Sequence, residues 1–304
     1  MLGGIGNGVT SMPAFLRHPY SLVFWATLIW GLSGIYIKWV EIPVVYMASL
    51  RTLTPVLCIL AWAFWKKEKL HIREQPKSVW FASGFNILRT LCYFAGFSQL
   101  PIAQGIVLMY TWPIWVVLLE GLFFKIPFER RQFVLMLLAF CGILIVQGIG
   151  FGVPFSPQSM VGGSLLLVAA LANALMMLCF KKTNHTQSGI QSVFYQNLVG
   201  SVVFLPFLYM GLSLPLWKTV LSIVAALVIG IVGYVLFFAA MRRMSSSRVA
   251  LLAYFEVLTN IFWATLLLNE GISARITFGG ALILIAAILM RPAKTPVEPH
   301  SESS

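Results

Sequence analysis

The sequence contains no aspartate. Its 304 residues hold nine acidic side chains, all glutamate, against 21 lysines and arginines, and charged residues make up only 10% of the chain. A soluble domain typically carries about 25% charged residues, so a fully water-facing exterior is excluded. His18, His71, His185 and His300 fall in loops and tails. Cys58, Cys92, Cys141 and Cys179 fall inside apolar runs without metal-ligand spacing and read as packing residues. A membrane-embedded enzyme or metal site would need convergent Asp, His or Cys groups. The pattern therefore implies neither an enzyme nor a cofactor. There is no phosphate loop or basic helix, so the net charge of +12 does not point to nucleic acid. The first 19 residues lack the basic-then-apolar order of a cleaved signal peptide.

What the chain has instead is apolar length. Hydrophobic residues make up 59% of it, broken into runs of about 18 to 23 residues, the length that crosses a hydrocarbon core. The reading is an all-α polytopic membrane protein with ten spans, near 20–38, 43–65, 78–99, 102–124, 132–150, 162–180, 189–210, 218–240, 249–268 and 277–290. The Gly-, Pro- and Ser-rich stretch 150–159 is the expected junction of two halves, 20–150 and 160–291. Lysine and arginine concentrate at the N-terminus and in alternate loops, which predicts a plasma (inner) membrane protein with both termini cytoplasmic.

The two halves carry related text. A shift of 144 residues sets Ala103 on Ser247, Tyr110 on Tyr254, Phe123 on Leu267 and Arg131 on Arg275. Five spans per repeat is an odd number, so the second repeat would insert with opposite topology, as in transporters that work by alternating access.

Polar residues deep in these runs are the sharpest functional signal, because charge at the bilayer centre is costly unless it faces a cavity or a partner. At a rise of about 1.5 Å per residue, Arg51 lies roughly 12 Å into its span. Arg89 is halfway through the third span. Glu256 and Asn260, Asn173, and Gln196 with Asn197 lie at similar depth, and the repeat sets Gln196 opposite Arg51. Arg51 and Glu256 either form a structural ion pair or face a solute, and the same choice holds for Arg89. The asparagines either bridge helices or line a site. Glu120, near a span end, is expected to pair with Lys125 or with Arg130 and Arg131. Trp30, Tyr93, Tyr110, Tyr234 and Tyr254 are too deep for interfacial anchoring alone. With Trp112 they suit either helix packing or the wall of an organic-solute cavity. Pro113 predicts a break in the fourth span.

The text Ala103-x(6)-Tyr110-x-x-Pro113, the run Tyr254-Phe255-Glu256-Val257 and the later pair Asn269-Glu270 resemble the EamA-type drug/metabolite transporter superfamily over roughly 20–290. The resemblance implies ten spans in two five-helix inverted repeats, with spans 1, 3, 4, 6, 8 and 9 lining the path. It also implies a helix-end structural role for Glu270. The chain departs from the family pattern in carrying Lys125 where the first repeat usually ends in Glu, and Val257 where Pro is common.

The expected function is secondary transport of a small organic metabolite, foremost amino acids moved outward. Arg51 and Arg89 would meet a carboxylate, Glu256 would meet an ammonium, and aromatic rings would hold the apolar part. An organic-anion transporter or exchanger and a non-transporting scaffold or receptor are the rivals. Membrane lipid is the surroundings, a monomer is the expected state, and coupling to protons or to the solute gradient alone is left open.

Overall fold

The computed structural model describes residues 18–68, 70, 72, 74–99, 102–125, 129–147, 157–183, 187–269 and 271–289. All regular structure in them is helical, as expected for a chain that must satisfy its backbone hydrogen bonds without water. The elements are α1 (Pro19–Trp30), α2 (Leu32–Val40), α3 (Val44–Lys66), α4 (Lys77–Phe97), α5 (Ile102–Met109), α6 (Trp112–Phe124) and α7 (Arg130–Gln147) in the first half. The second half has α8 (Pro157–Thr183), α9 (Gly189–Phe204), a 3₁₀ segment (Leu205–Ser213), α10 (Leu216–Ala225), a π segment (Ala226–Gly233), α11 (Tyr234–Met241), α12 (Ser246–Ala253), α13 (Phe255–Leu268) and α14 (Ala274–Leu289). Among the described residues, seven stretches are long and apolar enough to cross a membrane, and α14 is a shorter apolar helix. The molecule is a multi-pass membrane protein.

Its periphery is apolar. Phe64, Leu122 and Leu212 are exposed, while Asn86, Gln196 and Thr259 are buried. That is the inverse of a soluble domain and the order that lipid demands. Cys92 and Cys179 are buried, but Cys58 and Cys141 lie on the exposed face and so are not packing residues. The expectation for those two is corrected: a thiol is apolar enough to face lipid.

Several spans are interrupted, and at Pro113 the interruption has a plain chemical cause. Pro113 has no N–H to give the Met109 carbonyl, and the Ile114 N–H turns from Tyr110 to the Thr111 carbonyl. The freed Tyr110 carbonyl accepts the Tyr254 hydroxyl at 3.0 Å. Tyr254 itself sits at the α12–α13 break, so the positions matched by the 144-residue shift touch at corresponding breaks. α6 and α13 also stop alike, at Lys125 and Asn269, both in the left-handed conformation with φ 54°. In the π segment the Ile229 carbonyl accepts from Trp30 Nε1 at 3.3 Å. The Trp30 ring lies so close to Gly233 that a Cβ there would sit 2.5 Å from Nε1.

Tight crossings hold the bundle together. α4 runs along α8 and α9, α3 along α9, and α7 along α14. At the last crossing, a Cβ on Gly142 or on Gly279 would come within 2.6 Å of the other's carbonyl oxygen. Only glycine permits that approach. α13 is stitched to α1 by Thr259 Oγ1 donating to the Thr27 carbonyl at 2.7 Å and Trp263 Nε1 donating to Leu28 at 2.8 Å.

The turn between α11 and α12 is clamped from the first half. Glu120, expected to pair with Lys125 or the Arg130–Arg131 cluster, instead accepts the backbone N–H groups of Ser246 (2.6 Å) and Ser247 (2.9 Å). The reason is burial: Glu120 is 4% exposed, and the free N–H groups at a helix N-terminus offer a carboxylate fixed donors and a favourable dipole. Lys181, from α8, donates to the carbonyls of Met241 and Met244, the latter at 2.6 Å.

Candidate functional site

α3 brings Arg51 to the interior, and its geometry follows from Pro55 four residues on. Pro55 lies inside α3 and offers no N–H to the Arg51 carbonyl. Gly230 of the π segment packs beside that carbonyl and the proline ring. A π segment is a local departure from helical register that tends to occur at functional sites. Here it sets Gly230 and then Tyr234 against α3. Arg51 donates to Tyr234 Oη at 3.0 Å.

α4 supplies the second arginine. Arg89 donates through one terminal nitrogen to Asn86 Oδ1 at 2.9 Å, one helical turn away. Asn86 in turn donates to the Gln196 backbone carbonyl at 2.7 Å, tying α4 to α9. Arg89 Nε and Gln196 Oε1 are buried without a hydrogen-bond partner. Such groups are costly in a low-dielectric interior.

These groups surround a polar cavity of about 20 Å³, lined by Arg51, Asn86, Arg89, Gln196, Asn197 and Tyr234 together with neighbouring apolar and threonine side chains. That volume is close to the space of one water. The structure is constricted at this level, and the cavity is too small for an organic solute. A roomier groove of about 220 Å³ lies elsewhere, between α1, α12, α13 and α14, but among the described residues Tyr20 is the only polar one in its wall.

Of the candidates read from sequence, Arg51, Arg89, Gln196, Asn197 and Tyr234 line the polar cavity. Tyr93 and Glu256 lie within electrostatic reach of Arg51, and Tyr110 within reach of Glu256 and Tyr93. Trp30 packs against Tyr234 at 4.9 Å between centroids, the rings tilted by 53°, and so backs the cavity wall. Tyr254 is fully buried and holds the Tyr110 carbonyl. Trp112 is in the hydrophobic core. Asn260 donates to the Glu256 carbonyl at 3.0 Å, and its Oδ1 lies where α13 crosses Gly34. Asn173 is half-buried on α8, outside the cavity lining. Glu270 lies outside the described residues. Sequence reasoning missed Asn86, whose signal was a polar residue one helical turn before a buried arginine.

The expected alternatives for Arg51 and Glu256 are separated by geometry. The Arg51 guanidinium bonds Tyr234, and among the described residues Glu256 forms no ion pair within 4 Å. Glu256 is half-buried on the first turn of α13. Among the described residues, no group of three or more His, Cys, Asp or Glu side chains is placed to hold a metal ion.

Comparison with known proteins agrees with this architecture. The model of the EamA-like transporter family matches twice, over 18–147 and 160–291. The chain is 27% identical over 215 residues to the pseudopaline exporter CntI of Pseudomonas aeruginosa, covering 68% of this chain and 72% of that one. It is 26% identical over 282 residues to an uncharacterized transporter of Archaeoglobus fulgidus, covering 88% and 94%. A solved crystal structure shares the fold with a TM-score of 0.73 at 16% identity, over 88% of this chain and 94% of its own. With a family match across both halves, the chain belongs to the EamA-like transporter family and acts as a membrane transporter.

Proposed function

We propose that the protein exports a small amino-acid-type metabolite by alternating access, recognising its carboxylate with Arg51 and Arg89 and its ammonium with Glu256. The carrying observation is that both guanidinium groups meet at one polar cavity while Glu256, within electrostatic reach of Arg51, is left without an ion pair among the described residues. Arginine suits the task because its planar fork matches a carboxylate in two hydrogen bonds. Trp30, Tyr93, Tyr110 and Tyr234 supply the aromatic surface beside it. Outward movement is supported by the relative named as an exporter.

In this reading ten spans form two five-helix inverted repeats, 20–150 and 160–291, with both termini cytoplasmic and a monomer as the working unit. The paired breaks at Tyr110 and Tyr254 and the paired stops at Lys125 and Asn269 support the repeat. α1–α2, α4, α5–α6, α8, α10–α11 and α12–α13 then flank the path.

The test is counterflow in proteoliposomes preloaded with unlabelled solute. Labelled neutral or acidic amino acids should accumulate in vesicles loaded with the same class, and Arg51→Ala should abolish that exchange. Exchange confined to metabolites lacking an amine would replace this reading with an organic-anion transporter, which the two arginines also favour.

A further inference from the structure

Counting charge at the cavity narrows the solute further, on the footing of the reading above. Arg51 and Arg89 line the cavity and act on one another, and Glu256, outside that lining, lies within electrostatic reach of Arg51. Two cations against one carboxylate leave one positive charge in excess. Tyr234 and Asn86 engage the guanidinium groups but carry no compensating charge. An uncompensated charge in the middle of a bilayer costs several kcal/mol. The site that binds a solute is the place where that cost is removed.

A neutral zwitterion does not remove it. Its carboxylate and ammonium cancel each other, and the occupied site keeps the surplus charge. A solute with two carboxylates and one ammonium brings the total to zero. The hydrogen-bond inventory runs the same way. Arg51 and Arg89 are on different helices, each with one terminal nitrogen already committed to its own neighbour, Tyr234 and Asn86. Arg89 Nε is buried and unpartnered. Each guanidinium thus retains N–H groups for a separate carboxylate, and Gln196 Oε1, also unpartnered and in the cavity lining, accepts from an ammonium or amide.

We infer that the preferred solute is a dicarboxylic amino compound of net charge −1, one carboxylate on Arg51, the other on Arg89, and its ammonium directed to Glu256. Asn86 then acts as a positioning residue. It fixes the Arg89 fork from α4 while anchoring itself on the α9 backbone.

Counterflow of labelled L-glutamate, L-alanine and succinate through the full-length protein tests the inference. Glutamate should exchange with a KM at least about tenfold below that of alanine, the discrimination expected of one satisfied charged contact. Glu256→Gln removes the ammonium partner and should shift preference from glutamate toward succinate. Asn86→Ala should raise the KM for glutamate more than that for alanine, a split that a purely structural role would not produce. If alanine exchanges as well as glutamate, the two-carboxylate inference is wrong while the amino-acid reading stands. If succinate alone moves, or none of the three does, the amino-acid reading fails and the inference with it.

Discussion

Glu120 and Glu256 are both carboxylates on apolar helices, and their surroundings differ completely. Glu120 is buried at the end of α6, where both oxygens accept backbone N–H groups of α12. Lys181, close by on α8, is likewise committed to two carbonyls of the α11–α12 turn. Glu256 lies within electrostatic reach of Arg51, Tyr93, Tyr110 and Tyr234 and makes no ion pair among the described residues. One region uses charge to close a turn, although the Ser246 hydroxyl there still lacks a partner. The other region holds its charges with donors and acceptors to spare. The contrast teaches that burial of a charge is not itself evidence of a binding site. A charge whose hydrogen bonds are all made by the protein is spent on structure, and one left short is available to a ligand.

Substitutions can break or sharpen this contrast. The largest expected effect is at the unsaturated cluster. Arg89→Ala should lower counterflow by about 100-fold or more, as when a buried charged contact is truncated. The melting temperature in detergent should hold or rise, because a poorly satisfied charge has been removed. A fall in both would place Arg89 with Glu120 as a structural residue.

Glu120→Ala should do the opposite. Two buried N–H groups at the start of α12 lose their acceptor, costing about 3 kcal/mol of stability. The KM measured on the surviving folded protein should be unchanged. A raised KM at normal thermal stability would move Glu120 into the transport path.

Tyr234→Phe leaves the ring contact with Trp30 but removes the hydroxyl that accepts from Arg51. Counterflow should show a KM rise of about tenfold, the worth of a hydrogen bond to a charged group. The smallest effect is expected at Tyr254→Phe, which leaves the Tyr110 carbonyl without its donor. Thermal unfolding should register about 1 kcal/mol of lost stability, with transport kinetics unaltered. A KM change there equal to that of Tyr234→Phe would extend the site to the break between α5 and α6.

Much of this was legible in the chain. Scarcity of charge and apolar runs of membrane length made the helical membrane class unavoidable, since only helices or closed barrels satisfy a backbone in lipid. Pro113 announced its own break because an imino acid cannot donate, and Arg51 and Arg89 stood out because arginine in mid-span is costly. Other features were not legible. Nothing in the text distinguishes Glu120 from Glu256 as a residue type, and depth alone misassigned the first to nearby basic side chains. Its true partners are backbone groups 126 and 127 residues away. Trp112 and Tyr254 were indistinguishable from Tyr234 by composition, yet two are held in the core and one lines the cavity. Asn86 was overlooked because its second contact is a main-chain carbonyl on another helix.

By itself, then, the sequence determined the solvent of this protein, the helical form of its backbone, the place of its proline break and the presence of charge that must be accounted for. Those follow from local chemistry: transfer cost, chain length and missing donors. Only the tertiary structure decided which charges are already paired, where the π segment turns Tyr234 onto Arg51, and which polar atoms stay unsatisfied around the cavity. Those depend on which helices meet, and hydrogen-bond partners more than 100 residues apart exist only once the bundle has packed.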